Sequence, residues 1–279
     1  MKRDTFMPAG LPIARVTRGE TVDRVFAALA EGRGGWLLTA TVDYLRQCTE
    51  DSDLQRLCST ADLIVADGIP LLWAAWIQGS PLPDRVAGSD LVWLLAERAA
   101  LEDRSLYLLG GERGAAEGAR ERLQTRWPAL RIAGLQSPSV SPNPTPAEVD
   151  LVDHDLQRVA PDLVYVGLGC PKENRMIDAL RPRHPNVWFV GIGISLSFIA
   201  GTKRRAPMWM QVRGLEWLHR LLQEPGRLGR RYLIEDLPFL LRFLARAWGS
   251  RRRARIRGAH RCPSGRPRDG NEGPSGSDR

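Results

Sequence analysis

The stretch ADLIVADG (61–68) holds a short, wholly apolar run, Leu63 to Ala66, that stops at an acid and a glycine. A run of that length, continuous rather than alternating, has the pattern of a strand covered on both faces. The same pattern returns at 36–39, 106–109, 131–135, 163–167 and 187–191. Between these runs lie stretches of helical periodicity at 21–30, 51–59, 70–77, 89–101, 114–127, 146–159 and 172–180. Such alternation predicts an α/β fold: a Rossmann-like, mostly parallel sheet with helices on both faces. Thr145 and Glu148 have capping-box spacing and predict where the helix after the Pro/Ser-rich loop 137–146 begins. The uncharged run 185–202 is interrupted by Gly191, Gly193 and Gly201. A membrane span needs about 20 mainly apolar residues, so this run predicts a buried strand, a tight turn and a short helix instead.

After Gly201 the pattern changes. Residues 209–248 read as helical, rich in arginine and aromatics, with breaks expected at Pro225 and Pro238. The division is therefore an α/β body (1–200), a basic helical C-terminal appendage (201–258) and a tail (259–279) whose lack of large apolar residues predicts disorder. With 279 residues, 43% of them hydrophobic, the chain is long enough for one substantial domain plus this appendage. The net charge of +8 is unevenly spread: residues 201–258 carry 15 Lys/Arg against 4 Asp/Glu, and residues 1–200 are net −4. That asymmetry points to a polyanionic partner for the appendage, such as a membrane surface, a pyrophosphate or nucleic acid. Within it, 236–257 joins Leu237, Phe239, Leu240, Leu241, Phe243, Leu244 and Trp248 to a run of arginines. This suits an interfacial helix on anionic lipid and equally a helix packed on the body with a solvated end. Cys48, Cys58, Cys170 and Cys262 have no C-x-x-C spacing, and with only four histidines they imply neither a zinc site nor a disulfide framework. A reducing, cytoplasmic setting is expected, and the N-terminus has no apolar core of signal-peptide length.

Open parallel sheets bind ligands at the carboxyl ends of their strands. There the sequence places Thr39, Asp67-Gly68, Gly110-Gly111, Gly167 and Gly169, and Gly191 and Gly193. Any one of these glycines reads equally well as a tight turn; several together predict a nucleotide-sized cleft. None completes G-x-G-x-x-G in the first strand–helix–strand unit, which disfavours a dinucleotide cofactor. No cofactor is expected. Asp67, leaving a buried strand, suits a general base; it equally suits the cap of the helix near Pro70. The triplets Asp51-Ser-Asp53 and Asp153-His-Asp155 fall at a helix start and inside a helix, not on a loop after a strand, so no metal is assigned to them.

The segment GTKRRAPMWMQVRGLEWLHRLLQEPGRLGRRYL (201–233) resembles the C-terminal signature of the WecG/TagA/CpsF glycosyltransferases in Arg205-Ala206-Pro207, Trp209, Gly214-Leu215-Glu216-Trp217, Arg220-Leu221, Glu224-Pro225 and Arg231-Tyr232. Asp67, Gly68, Arg85, Gly88 and Asp90 match an upstream pattern, and LYLLGG (106–111) and GLGCPKE (167–173) fit as well. The resemblance spans roughly 15–245 and implies an inverting transferase moving N-acetylmannosamine, its uronic acid or glucose from a UDP donor to a saccharide on undecaprenyl diphosphate. Carried over by position, it implies Asp67 as base, Thr39 and Arg85 as pocket residues, and Arg220, Arg227 and Arg230 or Arg231 as appendage arginines on the diphosphate. Gly110, Gly111, Gly167, Gly169, Glu173, Gly191 and Gly193 are assigned to the nucleotide. The family usually has Asn at Thr41, Gly at Pro70, Gln-Glu at Glu173-Asn174 and often Asp at Ser197. Further expectations are a cytoplasmic protein, peripheral on the inner face of the plasma membrane, with possible homo-oligomers and no nucleic acid. The sheet pattern alone also suits a sugar-nucleotide epimerase or dehydrogenase, and the basic appendage alone a nucleic-acid-binding module.

Overall fold

The computed structural model describes residues 5–259, without the side chains of Arg227 and of 250–259. Eight strands are present: β1 (Thr5–Phe6), β2 (Ile13–Ala14), β3 (Gly35–Ala40), β4 (Leu63–Ala66), β5 (Ser105–Gly110), β6 (Arg131–Gln136), β7 (Leu163–Gly167) and β8 (Trp188–Gly191). They form one sheet in the order β1-β2-β4-β3-β8-β7-β5-β6. Only the β1–β2 pair is antiparallel. The helices of the body are α1 (Arg18–Ala30), α2 (Val42–Glu50), α3 (Ser52–Cys58), α4 (Ile69–Ile77), α5 (Gly88–Leu101), α6 (Ala115–Arg126), α7 (Pro146–Val159), α8 (Lys172–Leu180) and α9 (Ser195–Ala200).

Successive strand residues point to opposite faces, and the core divides accordingly. Trp36, Leu38, Ala40, Ile64, Ala66, Val164, Val166 and Phe189 pack under α2, α3, α4, α7 and α8. Leu37, Leu63, Val65, Leu106, Leu108, Tyr165 and Val190 pack under α1, α5, α6 and α9. The sheet is thus covered on both sides, which is why its inner strands are continuous apolar runs. β6 departs from the expectation of full cover: it is an edge strand, and none of its residues is fully buried. The capping box at Thr145 and Glu148 opens α7, and Thr17 with Glu20 makes a second one at α1. The helix α2 was not expected from periodicity; Thr41 starts it by accepting from Tyr44 N at 3.2 Å.

Beyond Gly201, which ends α9 in the left-handed conformation, come α10 (Met208–Val212), α11 (Glu216–Gln223), α12 (Pro225–Gly229), a π-helical stretch Arg230–Asp236 and α13 (Leu237–Ala259). Pro225 starts α12. The break expected at Pro238 does not occur: Leu237 N bonds Tyr232 O across the wider π turn, and Pro238 falls in the first turn of α13, where its missing N–H costs little. α13 packs on α4 and buries Phe243 and Ala247, while Leu237, Leu241 and Trp248 stay exposed. Among the described residues no helix is long and apolar enough to cross a membrane. The tail expected to be disordered lies, past Ala259, outside the described residues.

Candidate active site

The carboxyl ends of six parallel strands open into one cleft of about 950 Å³, roofed by the appendage. Thr39, Asp67, Arg85, Gly111, Gly167, Gly169, Glu173 and Gly193 from the body and Arg220 and Arg231 from the appendage all line it. Gly110 and Gly191 stand behind the lining. A Cβ on Gly110 would lie 2.7 Å from Gly167 O, and one on Gly191 2.5 Å from Glu173 Oε1. Both are therefore required for packing of the cleft wall, whereas a Cβ on Gly193 would meet nothing within 4 Å.

Asp67 leaves β4 with its N–H donated to Ala40 O at 2.8 Å. Its Oδ2 accepts from Gly88 N at 3.0 Å, and Oδ1 has no hydrogen bond among the described residues. The alternative role as a helix cap is not realised: α4 is preceded by Gly68 and has no side-chain cap. Burial pushes the Asp67 carboxyl up to about 6, against the Gly88 N–H and the Arg85 charge, which favour the ionised form. The acids Glu216 and Asp90 add to the rise. A carboxylate so placed is ionised at neutral pH yet basic enough to take a proton. Thr39 donates to Gly191 O at 3.2 Å, joining the ends of β3 and β8.

Glu173, in the first turn of α8, is buried. It accepts from Gly193 N at 3.0 Å. Burial pushes its carboxyl up to about 7, although the N–H groups of Gly193, Gly169 and Leu168 pull it down. It thus holds the glycine turn after β8 from beneath.

The appendage arginines differ from one another. Arg220 lines the cleft and has no carboxylate partner among the described residues. Arg231 lines it too, but is engaged by Asp43 and Asp236. Arg230 lies outside the lining, exposed, 3.5 Å from Glu235. The side chain of Arg227 is outside the described residues. Of the cationic residues of the lining, Lys172, Lys203 and Arg213 were not singled out from sequence, and Lys172 donates to Val140 O at 2.6 Å. Arg213 sits over the ring of Trp209 at 5.8 Å and has no carboxylate partner among the described residues. Lys203 bridges Glu112 and Glu224, each at 2.6 Å. Arg213 and Lys203 stand inside the quoted C-terminal signature, and a tally of charges facing a cleft does not follow from spacing alone.

Arg85 turns its guanidinium to Glu216 of α11 at 3.2 Å and to Asp90 at 3.6 Å. Arg205 meets the same two acids, Asp90 at 2.6 Å and Glu216 at 3.3 Å. Two residues from each part thus make a four-membered charge network across the boundary. A second network joins Arg46 of α2 to Asp43 at 2.9 Å and to Asp236 at 2.8 Å. The D-x-D acids are engaged elsewhere. Asp51 caps α3, Asp153 holds Arg183 and His184, and Asp155 accepts from the Tyr107 hydroxyl. Among the described residues no group of three or more His, Cys, Asp or Glu is placed to hold a metal ion.

The profile of the "Glycosyl transferase WecG/TagA/CpsF family" matches residues 6–253. A Bacillus spizizenii protein named N-acetylglucosaminyldiphosphoundecaprenol N-acetyl-beta-D-mannosaminyltransferase is 28% identical over 199 residues, covering 71% of this chain and 75% of that protein. Its namesake in Bacillus subtilis is 27% identical over 194 residues, covering 70% and 73%. One from Staphylococcus aureus strain MW2 is 27% identical over 216 residues, covering 76% and 80%.

Proposed function

The chain belongs to the WecG/TagA/CpsF glycosyl transferase family, and from that premise we propose that it moves one sugar of the N-acetylmannosamine type from a UDP donor onto N-acetylglucosamine held on undecaprenyl diphosphate; the names of its relatives give that sugar and that acceptor for them. Membership in a transferase family displaces the epimerase, dehydrogenase and nucleic-acid readings, which rested on the sheet or on the charge of the appendage alone.

The observation that carries the reading is Asp67: a carboxylate with one oxygen held by Gly88 N–H and the other without a hydrogen bond among the described residues, in a cleft that Arg220 also lines. In the reaction, the acceptor hydroxyl attacks the anomeric carbon from the face opposite the nucleotide. The bond from that carbon to the diphosphate oxygen breaks, and the configuration inverts. Asp67 takes the hydroxyl proton as the new bond forms, and the departing UDP carries the negative charge. Arg220 and Arg213 are the lining guanidiniums without an acid partner, so their charge is available to the diphosphate. The planar fork of arginine binds two phosphate oxygens at once. On this account turnover is independent of added divalent ions, and the enzyme works on the inner face of the plasma membrane with its basic appendage toward the lipid.

The test is transfer to a short-chain prenyl-diphosphate N-acetylglucosamine acceptor with a panel of UDP sugars, followed by mass of the product, with and without EDTA. A product heavier by one N-acetylhexosamine, formed equally in EDTA, is expected. No transfer from any donor defeats the reading, and strict dependence on manganese defeats its metal-free form.

A further inference from the structure

α4 has the sequence IPLLWAAWI, nine residues without a polar side chain. A helix apolar all round belongs in a core, and the inner face of α4 obeys: Leu71, Ala74 and Ala75 are buried against the sheet. Its outer face does not. Trp73 is 50% exposed and Trp76 66% exposed. The two are three residues apart, so they lie on one side of the helix, and Trp73 lines the cleft. α13 packs alongside. Its Leu237 and Leu240 line the same cleft, and Leu241, one turn on from Leu237, is 62% exposed. An uncharged wall thus runs from inside the cavity outward between two helices, and it starts in the cavity that holds Asp67 and Arg220.

We propose that Trp73 and Trp76 of α4, with Leu237 and Leu241 of α13, form a track for the isoprenoid chain of the lipid-linked acceptor, so that the protein itself binds the first prenyl units as they leave the cleft. The inference rests on the acceptor class proposed above and adds where its tail lies. The occupant follows from continuity. A lipid-linked ligand whose sugar reaches Asp67 must carry its apolar end out of the same cavity. This uncharged wall offers that end a surface that removes it from water. Flat indole faces suit branched prenyl units, which bury area without needing a hydrogen-bond partner.

The experiment titrates the full chain, in buffer without detergent, with farnesyl diphosphate and with inorganic diphosphate by calorimetry. The wild type is expected to bind the farnesyl compound more tightly, and Trp73→Ser to reduce that preference about tenfold. Trp76→Ser, farther from the cleft, guards against a folding defect and is expected to reduce the preference by a smaller factor at an unchanged Tm. Equal affinity of the wild type for both compounds overturns the proposal. So does an unchanged preference in Trp73→Ser, or a variant that loses only co-sedimentation with anionic phosphatidylglycerol vesicles, which would make the wall a bilayer-docking face. A protein that shows the farnesyl preference and its loss in Trp73→Ser, yet transfers no sugar to any lipid diphosphate, supports the track and defeats the function proposed above.

Discussion

The sheet and the roof of the cleft are held by different forces. The body buries large apolar side chains on both faces of its sheet, among them Trp36, Phe26, Tyr165 and Phe189. In the appendage, α13 joins the body's core through Phe243 and Ala247, but before it α11 buries no residue, and α10 and α12 contribute Met210 and Leu228. What fastens the segment before α13 is charge: Arg205 and Glu216 to Asp90 and Arg85, Lys203 to Glu112, and Arg231 and Asp236 to Asp43 and Arg46. Apolar burial is non-directional and tolerates salt, whereas ion pairs are directional and weaken when screened. With Asp67 proposed as the base on the rigid part and Arg220 and Arg213 proposed for the diphosphate on the electrostatically held part, the proposed site is complete only when the two are docked.

The largest effect is expected from the rigid side. Asp67→Asn keeps the Gly88 N–H contact through its amide oxygen but cannot accept the proton, so kcat falls by up to about 10⁴-fold. Wild-type kcat/KM is expected to decline below pH of about 6 as the carboxyl protonates. Stability moves the other way. The folded value lies above the ordinary 3.8, so ionised Asp67 opposes folding at pH values above 6. Asn removes that penalty, and its Tm gain at pH 8 should vanish by pH 3. Unimpaired turnover in the variant removes Asp67 from the chemistry.

The second prediction attacks the charged seam. Arg46 is 11% exposed at its side chain and neutralises Asp43 and Asp236 together. Burial already pushes the Asp236 carboxyl up despite Arg46 and Arg231. Arg46→Ala strands two buried acids beside Arg231 alone, at a cost of about 3–4 kcal/mol. Hydrogen exchange should rise in residues 201–236 before it rises in β3, β4, β7 and β8. Uniform destabilisation of sheet and appendage would mean that the two are not held separately.

The same contrast explains what was legible in the sequence. β4, β7, α7 and α8 were readable to the residue because apolar runs, capping box and turn glycines act locally. α2 was not, since its buried Asp43 and Arg46 break the apolar period and depend for part of their pairing on Asp236 and Arg231, nearly two hundred residues away. The position of Asp67 followed from the end of its strand, but the donor to its Oδ2 is a backbone N–H twenty-one residues on. Among the arginines the signature marked the segment, and three-dimensional pairing sorts it. Arg220 is unpaired in the cleft, Arg231 is tied to acids, and Arg230 is outside. Arg213 joins the lining without having been foreseen.

That sorting gives the third prediction. Arg220→Ala should cost about 3 kcal/mol of transition-state stabilisation, roughly a hundredfold in kcat/KM, with Tm nearly unchanged because Arg220 makes no ion pair among the described residues. Arg230→Ala, on an exposed residue beside Glu235, should change kcat/KM less than twofold at ordinary salt, in keeping with the weakness of surface pairs. A reversed order of the two would mean that the roof closes in a different register over the diphosphate.

The smallest effect belongs to Glu173. It is a body residue like Asp67, but it faces the glycine turn after β8 rather than an open space. Its carboxyl, at about 7 when folded against an ordinary 4.5, favours the folded state fully below pH 4.5, and that contribution is lost as pH rises through 7. Glu173→Gln keeps an oxygen for Gly193 N–H and carries no charge at any pH. It should therefore be more stable than the wild type by about 2 kcal/mol at pH 8.5, with the difference gone near pH 4. Because Glu173 belongs to the apolar-packed part, the gain should appear in the urea midpoint of the whole sheet and leave exchange in 201–236 unaltered. A stabilisation confined to the appendage, or one independent of pH, would show that Glu173 acts on the roof instead and would erase the division between the two parts.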